Sequence, residues 1–211
     1  MRKALTAVDH LVYAAPDLEA AVVELQGLLG VRAAAGGRHP GEGTRNALIS
    51  LGGDAYLEIL GPDPDQPSPG KQRWFGIDIL KAARLVGWAA KTEDLEGVAR
   101  QALETGIPLG PVTAGRRQRS DRVALSWQFS DPHVVLGDGL VPFFIDWKDS
   151  PHPARAAPRG VSLVELRAEH PEPGPVQAML AGLGLDLPVK TGPKPALIAS
   201  LRTPRGLVEL R

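Results

Sequence analysis

The apolar positions of this chain fall into two rhythms. Apolar runs suited to strands occur at residues 9–14, 46–51 and 55–60, and spacings of three and four at residues 18–29 read as a helix. That helix carries Leu18, Ala21, Val22, Leu25, Leu28 and Leu29 on one side. Asp17, just after Pro16, stands where an N-cap is needed, and Gly30 stands where the helix stops. Gly52-Gly53-Asp54 is the predicted turn between the last two strands. A glycine-rich loop is predicted at residues 36–43, and the first unit spans residues 9–60.

The same order returns near the C-terminal end. Residues 161–168 read as a strand, 176–183 as a helix closed by Gly184, 195–201 as a strand, and 207–210 as another after the turn Pro204-Arg205-Gly206. A more diverged copy lies between them. Its strand is residues 85–91, and its helix opens at Thr92-Glu93-Asp94-Leu95 and stops at Gly106. Strands at 122–129 and 139–147 follow. Each unit ends on an acid set between apolar neighbours: Glu58, Asp146 and Glu209. The repeat predicts an α+β fold of βαβββ units with helices on one face of a sheet.

Composition narrows the function classes. The formal net charge of the 211 residues is zero, so the global field attracts neither nucleic acid nor an anionic membrane. The cluster Arg116-Arg117-Gln118-Arg119, with Asp121 after it, is read as decorating a loop or greeting an anionic substrate group rather than binding a nucleic acid backbone. There is no cysteine, which removes disulfides, thiolate catalysis and cysteine-held zinc. No run approaches the roughly 20 apolar residues of a spanning helix, and a soluble cytoplasmic protein is expected. Phosphate-loop, dinucleotide, Gly-x-Ser-x-Gly and HExxH patterns do not occur, so no nucleotide cofactor is expected. Residues 61–73 and the proline-rich 149–159 read as connections.

The candidate chemistry sits on a few residues. An acid on an apolar strand is a metal ligand or base if it faces a cavity, and an ordinary surface group if it faces water. His39 lies in the stretch 36–46 beside Arg38, Arg45 and Asn46, which reads as a rim or lid offering a titratable imidazole. Arg45 either pairs a substrate carboxylate or anchors the loop to an acid. Trp74, Phe75, Trp127, Phe143, Phe144 and Trp147 either pack a core or wall a pocket. His152 and His170 are read as loop residues, with His152, like His39, able to swing in as a further metal ligand, and His133, after Asp131-Pro132, is read as a structural or solvated turn residue.

The segments at residues 9–18, 37–46, 55–58, 73–76 and 140–147, with Ser150-Pro151-His152-Pro153, resemble the glyoxalase-like branch of the vicinal oxygen chelate superfamily. The resemblance implies two modules paired into a curved mixed sheet around a cleft, residues 1–149, with modules at about 9–60 and 85–147. A third module, residues 160–211, is then packed on these or placed at a homodimer interface. It implies a divalent metal held by His10, Glu58 and Asp146, although the position matching His10 in the second unit falls at Gly87 or Trp88. Catalytic roles fall to His39 and Glu58, and substrate contacts to Arg45, Asn46, Trp74, Phe75, Trp127 and Phe144. The implied function is binding of a small oxygenated metabolite, with lyase, isomerase or epimerase chemistry if metal is present. The alternative is a metal-free binding or sequestering protein.

Overall fold

The computed structural model describes residues 2–118 and 123–211. The expected Arg119, Asp121 and the start of the strand at Arg122 lie outside the described residues. The elements are β1 (Arg2–Lys3), α1 (Ala4–Ala7), β2 (Val8–Ala14), α2 (Leu18–Leu29), β3 (Ala34–His39), β4 (Thr44–Ser50) and β5 (Tyr56–Pro62). After a 3-10 segment, Trp74–Ile79, come β6 (Arg84–Lys91), α3 (Leu95–Glu104), β7 (Val112–Gln118), β8 (Ala124–Ser130) and β9 (Phe143–Asp146). The chain continues through β10 (Ser162–His170), α4 (Pro173–Gly182), β11 (Leu185–Asp186), β12 (Val189–Thr191), β13 (Ala196–Thr203) and β14 (Gly206–Leu210).

The first two modules share one curled eight-stranded sheet, ordered β3-β4-β5-β2-β6-β9-β8-β7. In each, the opening strand lies parallel to the closing one, and the modules join where β2 and β6 run antiparallel. Helix α2 begins as its sequence requires: the Asp17 carboxylate accepts from Ala20 N at 3.0 Å, and Gly30 closes it at φ 73°. Asp94 caps α3 in the same way, through Gly97 N.

Alternation along the strands divides the molecule into two interiors. Leu11, Tyr13, Ile49, Leu57, Ile59, Trp88 and Phe144 point toward the helices and form the main core. His10, Val12, Asn46, Tyr56, Glu58, Phe143 and Ile145 point the other way, into the concave face. All seven residues of β2 are buried, because both of its faces are covered.

Two expectations change here. The stretch 36–43 is not a plain loop. It completes strand β3 and turns at 40–43 into β4, with a register shift between Ala35 and Gly37. Of the two glycines there, Gly36 leaves space for the Asn46 side chain and Gly37 gives its N–H to it. The second module also has a strand, β7, in the stretch read as a basic loop.

The third unit repeats the element order but not the pairing. Its sheet is ordered β12-β10-β13-β14, so the opening strand lies between the second and third strands, and the closing strand is an edge. Glu209 therefore has no cleft to face; it pairs with Arg167 on the neighbouring surface. Leu166, Leu180 and Leu201 share the main core with Trp88 and Leu140. Backbone bonds Leu163 N to Leu51 O at 3.1 Å and Leu85 N to Arg211 O at 3.0 Å tie the unit to both modules.

Candidate functional site

The concave face holds a narrow cavity of about 50 Å³. Its polar wall comes from the first module, and its apolar wall from the second module and the 3-10 segment before it. The register explains the division. On the parallel pair β2/β5, His10 stands opposite Tyr56, with Glu58 two residues on. On the matching pair β6/β9, Ala89 stands opposite Phe143, with Ile145 two residues on. The positions equivalent to His10 and Glu58 are thus occupied by Ala89 and Ile145.

The polar wall is built outward from Asp9, which is fully buried. Its carboxylate accepts from His10 Nδ1 at 2.7 Å, Trp147 Nε1 at 3.0 Å and His152 Nε2 at 3.0 Å. Burial pushes its pKa up, but the hydrogen bonds from His10 and His152 outweigh this and hold it below the ordinary carboxylate value. His152 Nδ1 accepts from Ala154 N at 3.2 Å, so its Nε2 carries the proton shared with Asp9. His10 is turned by the same carboxylate. With Nδ1–H committed to Asp9, Nε2 faces Glu58 Oε2 at 3.6 Å, and the ring stacks on Tyr56 at 4.7 Å.

Glu58 is fixed from its other side by Asn46. Gly37 N donates to Asn46 Oδ1 at 2.8 Å, which orients the amide. Asn46 Nδ2 then donates to Glu58 Oε1 and approaches His39 Nε2 at 3.3 Å. His39 Nδ1 meets Thr44 Oγ1 at 2.9 Å, and its Nε2 lies 3.8 Å from Glu58 Oε1. Gly36 makes this possible, since a Cβ there would lie 2.2 Å from Asn46 Oδ1.

The apolar wall comprises Trp74, Phe75, Trp127, Phe129, Phe143, Ile145 and Trp147. Trp127 lies over Gly115 of β7, where a Cβ would come within 2.3 Å of the indole. Phe75 sits in the left-handed region at φ 57°, and a Cβ on Gly87 would come within 3.4 Å of its ring.

The structure thus brings His10, His39, Asn46, Glu58, Trp74, Phe75 and Trp127 to one cavity. It does not bring Asp146, Phe144 or Arg45. Alternation on β9 turns Phe143 and Ile145 inward and Phe144 and Asp146 toward the helix side. Asp146 there meets Lys148 Nζ at 2.7 Å, while Arg45 reaches back to Glu19 at 2.8 Å. A divalent metal therefore does not fit as expected: its third ligand is on the far face, and the second module offers Ala89 and Ile145. No group of three His, Asp or Glu with metal-holding geometry occurs among the described residues.

Sequence reasoning missed Asp9, Tyr56, Gly36 and Gly115 as parts of the site, and offered His152 only as a loop residue able to swing in as a ligand. Tyr56 was within reach, for it shares the face of Glu58 two residues away. A buried Asp-His pair on an otherwise apolar strand was the signal for Asp9. His152 and the two glycines depend on contacts distant in sequence and left no local sign.

A curled sheet of paired βαβββ modules with its cleft on the concave face defines a vicinal oxygen chelate protein. The model of the family described as "Glyoxalase-like domain" matches residues 8–184, and the chain belongs to that family. A hypothetical protein from Staphylococcus aureus has a similar structure, with a TM-score of 0.62 at 16% identity over 96% of this chain and 83% of that one. Methylmalonyl-CoA epimerase from Mycobacterium tuberculosis has a TM-score of 0.46 at 19% identity, covering 70% of this chain and 92% of that one. The Streptomyces coelicolor enzyme in complex with 2-nitronate-propionyl-CoA has a TM-score of 0.45 at 22% identity, over 67% and 97%. No curated protein sequence matches the chain. Among the described residues, no helix is long and apolar enough to cross a membrane.

Proposed function

We propose that the protein binds a small organic molecule in this cleft and moves a proton on it without a metal ion. The observation that carries the reading is the facing pair His10 Nε2 and Glu58 Oε2, 3.6 Å apart. Asp9 accepts the hydrogen bond of Nδ1–H, so Nε2 is the ring nitrogen turned toward a carboxylate, and in the neutral tautomer it presents its lone pair there. Two acceptors face each other and lack the proton that belongs between them. A substrate able to release or receive one fits that gap. Asn46 holds Glu58, and Asp9 stabilises the imidazolium formed when His10 takes the proton. The chemistry within reach is isomerisation, epimerisation or elimination at an acidic C–H, and the cavity limits the reacting part to a few heavy atoms.

The test is deuterium incorporation. The protein, with EDTA, is incubated in D2O with a mixture of small carbonyl and amino compounds, and loss of proton NMR signals is followed. At least one compound is expected to exchange, and Glu58→Gln is expected to slow that exchange by two orders of magnitude or more, on the order of 10²–10⁴-fold. Exchange that requires added metal, or exchange unchanged in the variant, overturns the reading. A second reading, sequestration without chemistry, is favoured by the aromatic wall. It gives saturable binding with no exchange.

A further inference from the structure

We infer that the ligand of this cleft is a small organic cation, a protonated amine. The inference rests on the proposed reading of the cleft as the ligand site and names the ligand's charge and donor. Three observations point the same way.

First, the apolar wall is a cluster of aromatic rings. Trp127 stands 5.2 Å from Trp147 and 6.4 Å from Phe129, and Trp74 stands 6.3 Å from Phe129. Aromatic faces carry a negative quadrupole, and indole attracts cations most strongly. An apolar ligand needs only apolar area, which the leucines and valines of this chain supply elsewhere. Here the wall draws on three of its four tryptophans.

Second, among the described residues the formal charges that line and back the cavity are negative. Glu58 lines it and Asp9 lies directly behind His10. Among the described residues, none that lines the cavity is Lys or Arg. Described cations nearby are tied to carboxylates outside it: Lys148 to Asp146 and Lys71 to Glu42 at 2.7 and 2.8 Å, Arg45 to Glu19 at 2.8 Å, and Arg73 to Asp78. Among the described residues that line the cavity, an anionic ligand would meet no Lys or Arg and would face Glu58, at a large desolvation cost.

Third, the polar wall asks for a donor. His10 Nε2 and Glu58 Oε2 face each other with a gap that an N–H of an ammonium group can bridge. The same group's remaining surface then meets indole rather than water. A carboxylate ligand brings acceptors to a place already holding two.

The experiment uses three probes with one carbon skeleton and different charge: isobutylammonium, isobutanol and isobutyrate. Each is titrated into the wild-type protein near neutral pH, and tryptophan fluorescence is read. The reporter is local, since Trp74, Trp127 and Trp147 line the cleft. The ammonium is expected to bind at least about tenfold more tightly than the alcohol, which corresponds to about 1.4 kcal/mol. The carboxylate is expected not to bind. Glu58→Gln should remove most of the preference for the ammonium, and Trp127→Leu, which leaves the carboxylates in place, should weaken the ammonium more than the alcohol. Equal or tighter binding of isobutanol, or binding of isobutyrate, overturns the cation while leaving the cleft as a ligand site. No response to any of the three overturns both.

Discussion

At the scale of single residues, the site is organised by Asp9, a residue that reaches no ligand itself. It sets the tautomer of His152, aims His10 at Glu58 and holds Trp147 in the aromatic wall. A carboxylate with three donors and a lowered pKa contributes stability that is fully present above its unfolded value near 3.8 and is lost as pH falls through the depressed folded value. Asp9→Asn should therefore melt lower than wild type at neutral pH. Its melting temperature should also fall less steeply with acid below about pH 4, because the variant lacks the group that must be protonated. Parallel melting curves for the two proteins from neutral to acid pH would remove Asp9 from this role. The alternation that the sequence displays was enough to place His10, Glu58 and Asn46 on one face. The same rule, applied to β9, separates Asp146 from Ile145; the acid itself drew attention to the wrong parity, because a repeated carboxylate is more conspicuous than the isoleucine beside it.

At the scale of elements, helices α2 and α3 were legible from their caps, since Asp17, Asp94 and Gly30 act within one turn. Strand β3 was not, because its glycines are explained by Asn46, ten residues away from Gly36 and on another strand. The hairpin of β3 and β4 works as a template: Gly36 leaves space, Gly37 orients the amide, and the amide orients Glu58. Gly36→Ala should cost about 1–3 kcal/mol by overpacking, read by chemical denaturation. It should also change the fluorescence of the cleft, since His39, 5.2 Å from Trp74, is bonded to the displaced amide. An alanine variant as stable as wild type, with an unchanged spectrum, would mean that the hairpin absorbs the methyl group by moving elsewhere. The third unit shows the limit of reading by element order. Its order is that of the other two, yet pairing is decided by which strand edges are free, and no local pattern encodes that.

At the scale of the whole molecule, the segment read as a linker closes the site. His152 arrives from the stretch between the second module and the third unit, 143 residues after the Asp9 it contacts. Trp147 reaches the same carboxylate across 138 residues. This has a consequence for the order of events in time. Contacts closing such long loops form after local hairpins and helices, because chain entropy opposes them until much of the sheet exists. On dilution from denaturant, far-ultraviolet circular dichroism should recover in an earlier phase, and the tryptophan emission of the cleft in a later one. A single rate constant for both signals would show that sheet and cleft form together. If the phases separate, a newly made chain passes through a stage in which its sheet is built but its cleft is still open and its indoles are uncovered. The protein then acquires its ligand site last, and conditions that slow the docking of one short proline-flanked segment delay function without delaying the fold.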